Sequence, residues 1–155
     1  MMKELVVKAA IQVGQPAERV FEAIVNPDEM KNYFISKSSG RLVRDTTVYW
    51  QFPEFPVDSP VRVKEVEPCS LIRFAWDSSS GEELLVEIRL EAGKNGTTVV
   101  HIQESGMPNN EAGLAWLVGN TEGWANFLAC LKAWLEYGVN LRRGAFDFMI
   151  EGKDQ

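Results

Sequence analysis

Hydrophobic residues follow a two-residue period through most of the first two thirds of the chain. Alternation of apolar and polar residues is typical of strands with one buried face, and turn residues such as Asn95-Gly96 separate the runs. Short connections between consecutive runs indicate an antiparallel sheet of six or seven strands. The predicted strands are 4–13, 40–44, 47–52, 57–66, 71–77, 82–91 and 97–105. Prolines at positions 53, 56 and 60 predict a sheet edge or a loop between residues 52 and 60.

Two segments have the period of a helix instead. After the first strand, Pro16 predicts the start of one helix, and Asn26-Pro27 predicts its end and the start of a second, shorter helix. Near the C-terminus, residues 121–141 predict a long helix with one apolar face. That face comprises Trp124, Phe127, Leu128, Leu131, Trp134, Leu135 and Gly138. Residues 110–118 predict a separate short helix that Gly119 closes.

The sheet and the long helix each have one apolar face to bury, so we expect the two faces to pack together in a two-layer α+β protein. By alternation, the inward side of the sheet includes Trp50, Phe52, Trp76 and Glu104. The single histidine, His101, falls on the outward side, where we expect a surface residue rather than a general base.

Four segments resemble one known family. The segment PAERVFEAIVNPDEMKNYF is similar to the opening of the family named after the activator of the heat-shock protein 90 ATPase, within the START-like (SRPBCC, birch-pollen-allergen-like) superfamily. VKEVEPCSLIRFAW, GTTVVHIQESGMP and EGWANFLACLKAWLEYG are similar to its later strands and its C-terminal helix. The resemblance implies one helix-grip domain over residues 1–155, with a curved sheet wrapped around the long helix and a cavity between them. The family contains ligand carriers and co-chaperones, and it has no shared catalytic motif to carry over.

Composition excludes several classes of function. The formal net charge is −6, and Arg142-Arg143 is the densest basic spot, so we expect no nucleic-acid binding. No apolar run has the roughly 18 residues of a membrane span, and the N-terminus lacks the apolar core of a signal peptide. Cys69 and Cys130 show no metal or redox spacing, which favours free thiols and a cytoplasmic location. No phosphate-binding loop and no metal cluster is present in the sequence, so we expect no cofactor.

The inward face contains the candidate site. Five tryptophans are many for this length, and they fit either core packing or an aromatic pocket for an apolar ligand. Glu104 is the one polar residue singled out there; it could act as an acid or base, but we expect it to reach solvent or a helix N-terminus at the strand's end. The predicted pocket residues are Trp50, Phe52, Trp76, Glu104, Trp124, Phe127, Leu128 and Leu131. The predicted entrance, at the second short helix, comprises Met30, Tyr33 and Phe34.

The function that these features favour is non-catalytic binding of a small hydrophobic or amphipathic molecule between sheet and helix. A protein-interaction role similar to that of the family's co-chaperones is the first alternative, with a chaperone, another protein or a second copy of the chain as partner. An enzyme of cyclase or hydrolase type is the second. It would require Glu104, Asp45, Glu54 or Asp58 to face the cavity.

Overall fold

The computed structural model describes residues 4–150 of the chain. In this part the strands are β1 (Val6–Val13), β2 (Lys37–Ser38), β3 (Thr47–Phe52), β4 (Phe55–Glu67), β5 (Leu71–Asp77), β6 (Glu83–Ala92) and β7 (Thr98–Ser105). The helices are α1 (Ala17–Val25), α2 (Pro27–Met30) and α3 (Glu111–Tyr137), and short 3₁₀ turns lie at Lys94–Gly96 and Asp147–Met149. All neighbouring strands are antiparallel.

The strands form one curved sheet in the order β1-β7-β6-β5-β4-β3-β2, and α3 lies against its concave face. Strands β2 to β7 are neighbours in chain order, and β1 closes the series by pairing with β7. The hairpin between β6 and β7 turns at Asn95 and Gly96, whose φ angles are both positive, as a type I′ turn requires. The predicted helix-grip α+β fold is therefore confirmed, with seven strands in the described residues.

One predicted strand is wrong. Residues 40–44 are not in the sheet, and the short strand β2 at Lys37–Ser38 pairs with Gln51 and Trp50 instead. Leu42 is buried and donates its backbone N–H to the carbonyl of Val25 at 3.1 Å, which ties this segment to the end of α1.

The proline-rich stretch is part of a strand. Pro56 and Pro60 lie within β4, in a half that pairs with β3 alone. Its other side is a sheet edge, where a missing N–H costs no ladder hydrogen bond. The prediction of an edge at these prolines was correct, and the strand begins earlier than predicted.

The break between the first two helices lies where the sequence places it. The side chain of Asn26 accepts a hydrogen bond from the backbone N–H of Asp28 at 2.9 Å, and Pro27 occupies the first position of α2. The second helix ends at Met30 and continues as a turn through Phe34.

Helix α3 is continuous, so the predicted break at Gly119 is wrong. The helix begins where the side chain of Asn110 caps the N–H of Gly113 at 2.9 Å. A glycine inside a helix weakens it without ending it, whereas a left-handed residue does end it. That residue is Gly138, with φ 65°, and its N–H donates to the carbonyl of Trp134 at 3.0 Å. The helix therefore starts ten residues before the predicted Thr121 (121 − 111) and ends before Leu141.

The core lies between the inward face of the sheet and α3, as the two-residue period of the strands and the helical period of residues 121–141 predicted. The helix buries Phe127, Leu128 and Leu131 on this face, together with Trp124 and Leu135. On the opposite side of the sheet the His101 side chain is 43% exposed, and its Nε2 lies 2.9 Å from Glu91.

Replacing Leu131 with alanine should lower the free energy of unfolding by about 2–5 kcal/mol, because Leu131 is fully buried and the change leaves a cavity. Leu114→Ala is the matched control, since Leu114 lies on the same helix but is 51% exposed; it should change stability by less than about 0.5 kcal/mol. Urea denaturation measures both values. Equal effects of the two substitutions would show that α3 does not pack through the face described.

Candidate functional site

An open pocket of about 380 Å³ lies between α3, the turn that joins β3 to β4, and the segment that follows α3. Nine aromatic residues line it: Tyr33, Phe34, Phe52, Phe55, Trp76, Trp124, Phe127, Phe146 and Phe148. The polar lining residues are Glu54, Asn120, Glu122, Asn126 and Arg142. A mostly apolar concave surface with a few polar groups is the usual character of a small-molecule site, and this volume lies within the range of such sites.

The rings on the pocket's inner wall are packed against one another. The ring of Phe34 lies at centroid distances of 4.7 Å from Phe127, 5.1 Å from Phe52 and 5.9 Å from Trp124. Most of these contacts are edge-to-face, the arrangement that aromatic quadrupoles favour. Trp50 lies behind them, 6.0 Å from Trp76. The pocket wall is therefore the outer layer of an aromatic cluster that continues into the core.

Glu104 lies behind this wall and is completely buried. On β7 it is flanked by Val7 of β1 and Val86 of β6, so its strand neighbours supply no polar side chain. Its partners come from further away in the fold. Oε2 accepts a hydrogen bond from Trp76 Nε1 at 2.7 Å, and Oε1 accepts bonds from Trp124 Nε1 at 3.0 Å and from Asn120 Nδ2 at 2.8 Å.

The expectation that Glu104 reaches solvent or a helix N-terminus is thus wrong. Three neutral N–H donors replace the water that a carboxyl group would otherwise bind, which makes its burial tolerable. None of the ion pairs in residues 4–150 includes Glu104. The cluster of Glu104, Trp76, Trp124 and Asn120 links β5, β7 and α3 at the base of the pocket.

The outer wall of the pocket is formed by the segment that follows α3. Arg142 makes a two-pronged ion pair with Glu54, with N–O distances of 2.8 and 3.0 Å, and both side chains are mostly buried. The Arg142 guanidinium also lies 5.0 Å from the ring centre of Phe146. This anchor brings Phe148 and Met149 to the mouth of the pocket, where they are 70% and 46% exposed.

Two glycines form the part of α3 that faces the opening. Gly119 and Gly123 are one turn apart, both line the pocket, and a Cβ built at either position would meet nothing within 4 Å. Packing therefore does not require glycine at these positions. Each glycine costs roughly 0.5–1 kcal/mol of helix stability relative to alanine. In return, the helix backbone is open to the pocket.

Two titratable groups in the wall are affected by burial. Burial raises the pKa of the Tyr33 phenol well above its ordinary value, with a smaller upward contribution from Glu29, and the hydroxyl donates to the carbonyl of Ala23 at 2.8 Å. Burial also raises the pKa of the Cys130 thiol, against a lowering effect of Arg142. Both groups are therefore neutral at physiological pH, and the thiol has little nucleophilic character.

The structure brings together some of the predicted pocket residues and not others. Phe52, Trp76, Trp124 and Phe127 line the pocket. Trp50, Leu128 and Leu131 are almost fully buried in the core and do not reach it, and Glu104 lies behind the wall.

The three predicted entrance residues differ in where the structure places them. Tyr33 and Phe34 line the pocket, although Tyr33 is buried, whereas Met30 is buried and does not line it. Trp134 Nε1 donates to Glu29 at 3.0 Å, which ties α2 to α3. The exposed hydrophobic lining residues, Phe55, Phe148 and Met149, lie at the β3–β4 turn and after α3.

Sequence reasoning missed the residues that follow α3. Phe146, Phe148 and Met149 form an apolar group after the glycine that ends the helix, and this alone could have indicated a segment folding back. The pairing of Arg142 with Glu54 had no local signal, because the two residues are 88 positions apart.

The carboxylates that the sequence offered as candidate catalytic groups do not come together in the pocket. Glu54 is held by Arg142, and the other two candidate carboxylates, Asp45 and Asp58, are exposed and do not line the pocket. Within residues 4–150 no group of three or more His, Cys, Asp or Glu side chains could hold a metal ion, and no helix there is long and apolar enough to cross a membrane. The arrangement can hold an apolar ligand and offer it hydrogen-bonding groups from the polar lining residues.

Comparison with known proteins supports the resemblance noted in the sequence. The family model described as "Activator of Hsp90 ATPase homolog 1-like protein" matches residues 15–136, and the chain belongs to this family. A search of curated proteins found no match.

Solved structures agree with this assignment. The protein SSP2350 from Staphylococcus saprophyticus is 31% identical, with a TM-score of 0.75 over 86% of this chain and 93% of that one. The Aha1 dimer from Colwellia psychrerythraea is 21% identical, with a TM-score of 0.71 over 86% and 97%. DynU16, from the dynemicin biosynthetic locus, is 23% identical with a TM-score of 0.77; the match covers 89% of this chain and 49% of DynU16. The last two show similarity of fold alone.

Glu104→Gln should lower the free energy of unfolding by about 1–3 kcal/mol, because the new NH₂ group must face an indole or amide N–H that has lost its acceptor. The Nε1–H resonances of Trp76 or Trp124 should shift upfield in the NMR spectrum at the same time. Glu67→Gln, at an exposed glutamate on β4, should change neither. An unchanged stability of Glu104→Gln would contradict the hydrogen-bonded cluster.

Proposed function

We propose that this protein binds a small hydrophobic or amphipathic molecule in the pocket between α3, the β3–β4 turn and the segment after α3. The observation that carries this proposal is an open pocket of about 380 Å³ lined by nine aromatic residues. Exposed apolar surface in a concave site is stabilised when a ligand removes it from water, by about 25 cal/mol for each Å² buried. In the described lining the pKa of the Cys130 thiol is raised by burial and Glu54 is paired with Arg142, and no group of three or more His, Cys, Asp or Glu side chains in residues 4–150 could hold a metal ion. These features support binding rather than catalysis. We place this binding in the cytoplasm, which the two free cysteines support.

The arrangement of the pocket supports a role in holding a ligand rather than in packing alone. The inner rings are held by one another and by the core, so binding does not need to order them. The glycines of α3 leave open a space that larger side chains would fill. The mouth is bordered by the short segment after α3, in which Phe148 and Met149 are exposed and Arg142 pairs with Glu54; we expect this exposed segment to be the part of the wall that moves most easily.

N-phenyl-1-naphthylamine, a neutral apolar dye, should bind the protein with an increase in its fluorescence and quenching of tryptophan emission. Gly123→Leu should weaken this binding at least about tenfold, because the new side chain enters the open space in front of α3. The same change should not destabilise the fold, since leucine is the better helix former. Titration by fluorescence and urea denaturation measure the two effects.

Ala125→Leu is the matched control, because Ala125 is exposed on the same helix and does not line the pocket. Dye binding by this variant should equal that of the wild type. The proposed function would be refuted by a wild-type protein that binds no apolar dye, or by Gly123→Leu binding the dye as well as Ala125→Leu does.

A protein-interaction role is the second candidate, and a different surface favours it. Leu114 and Val118 lie one turn apart on the outer face of α3 and are 51% and 73% exposed. A structural neighbour from Colwellia psychrerythraea is described as a dimer. If α3 mediates self-association, light scattering should give a dimer for the wild type and a monomer for Val118→Lys, with dye binding retained. A wild-type monomer at all concentrations would remove the support for this candidate.

A further inference from the structure

The charges around the pocket indicate which class of apolar molecule it takes. We propose that the pocket selects a cation: an apolar or aromatic molecule that carries a quaternary ammonium or protonated amine group. This inference rests on the proposed function, because it names the ligand class of the same pocket. The observation behind this inference is that a buried carboxylate contacts two tryptophan side chains that line the pocket.

The carboxylate is that of Glu104. All three of its hydrogen bonds have the carboxyl oxygens as acceptors, which is the pattern of an ionised group. The donors are two indoles and one amide, so the hydrogen bonds stabilise the negative charge without cancelling it. In a medium of low dielectric constant, such a charge acts over longer distances than it would in water. The base of the pocket therefore has a negative electrostatic potential.

The two indoles connect this charge to the pocket. Trp76 and Trp124 direct their Nε1–H groups at Glu104, and both residues also line the pocket, with ring centroids 5.8 Å apart. The face of an indole ring attracts cations through its quadrupole, more strongly than any other aromatic side chain. An N–H that donates to a carboxylate is polarised, which increases the electron density of the ring. Each indole should therefore bind a cation better than an isolated tryptophan would.

The other lining groups of the pocket also favour a cationic ligand. Phe34 and Phe127 continue the aromatic wall beside Trp124, at centroid distances of 5.9 and 5.2 Å. Arg142 is the one cationic side chain in the described lining, and Glu54 neutralises it. Glu122 adds a carboxylate at the exposed side, where no described ion pair includes it. An anionic ligand would be repelled by two carboxylates, those of Glu104 and Glu122, that no described ion pair neutralises.

A purely structural role of Glu104 is the competing interpretation. In that case the carboxylate serves only to link β5, β7 and α3, and the pocket should bind ligands of equal shape equally well, whatever their charge. The two interpretations thus differ in the ratio of affinities for a cation and its neutral isostere, a quantity that fold stability does not change.

The experiment compares three ligands that share one naphthalene ring: (2-naphthylmethyl)trimethylammonium, its carbon isostere 2-neopentylnaphthalene, and the anion 2-naphthylacetate. Displacement of N-phenyl-1-naphthylamine gives the three dissociation constants for the intact protein at about 0.15 M salt, where exposed charges are largely screened. The cation should bind at least about tenfold more tightly than its carbon isostere, and the anion should bind most weakly.

Glu104→Gln should reduce the ratio of cation to isostere affinity to within about twofold of one, while the neutral isostere still binds. Glu67→Gln removes the same charge from an exposed site outside the pocket and should leave the ratio unchanged. If Glu104→Gln does not fold, Trp76→Phe replaces it, because phenylalanine keeps a ring but loses the N–H bond to Glu104; the ratio should then fall by about threefold or more.

Equal binding of the cation and its carbon isostere to the wild type overturns the inference and leaves the proposed function intact. A ratio that persists in Glu104→Gln also overturns it, because another group would then be the source of the preference. Failure of all three ligands and of the dye to bind overturns the proposed function together with this inference.

Discussion

The burial of one carboxyl group organises the interior of this protein. Glu104 projects from β7 between two valines and has no partner on its neighbouring strands. A buried carboxyl group without hydrogen bonds would cost several kcal/mol, so the fold must bring donors to it. Two of them, Trp124 and Asn120, lie one turn apart on α3, and Trp76 lies on β5. This requirement fixes the position of α3 along the sheet and the orientation of both indoles, and those indoles become a wall of the pocket.

The pocket also depends on the absence of side chains at two positions of α3. A 27-residue helix could fill the whole concave face of the sheet, but Gly119 and Gly123 leave space where the helix passes the pocket. The chain then reverses at Gly138, which adopts a left-handed conformation that other residues adopt only with strain. The reversal lets Arg142 reach Glu54 and places aromatic residues over the space. The site is thus an unfilled part of the core that the segment after α3 borders.

Local patterns were sufficient to predict most of the fold. The turn at Asn95-Gly96, the break at Asn26-Pro27 and the inward face of the sheet follow from turn chemistry and residue alternation, which act over a few residues. The two errors concerned segments in which a tertiary contact decides. Residues 40–44 have the composition of a strand, but a hydrogen bond ties them to the end of α1. Glycine weakens a helix, but α3 continues through Gly119 because packing stabilises the helix as a whole. Helix and strand propensities are small compared with such contacts.

The sequence by itself determined the architecture, the inward position of Glu104 and the aromatic character of the sheet–helix interface. Only the tertiary structure decided which aromatic residues fill the core and which line a pocket. Residue periodicity places Trp50, Trp76 and Trp124 alike on inward faces, yet the first is enclosed in the core and the other two line the pocket. The reason is distance along the chain: the donors to Glu104 come from 16, 20 and 28 residues away, and Glu54 and Arg142 are 88 apart. Residue periodicity indicates which side of a helix or strand is buried. The shape of the space between those elements depends on contacts between residues far apart in the chain, which no local sequence pattern contains.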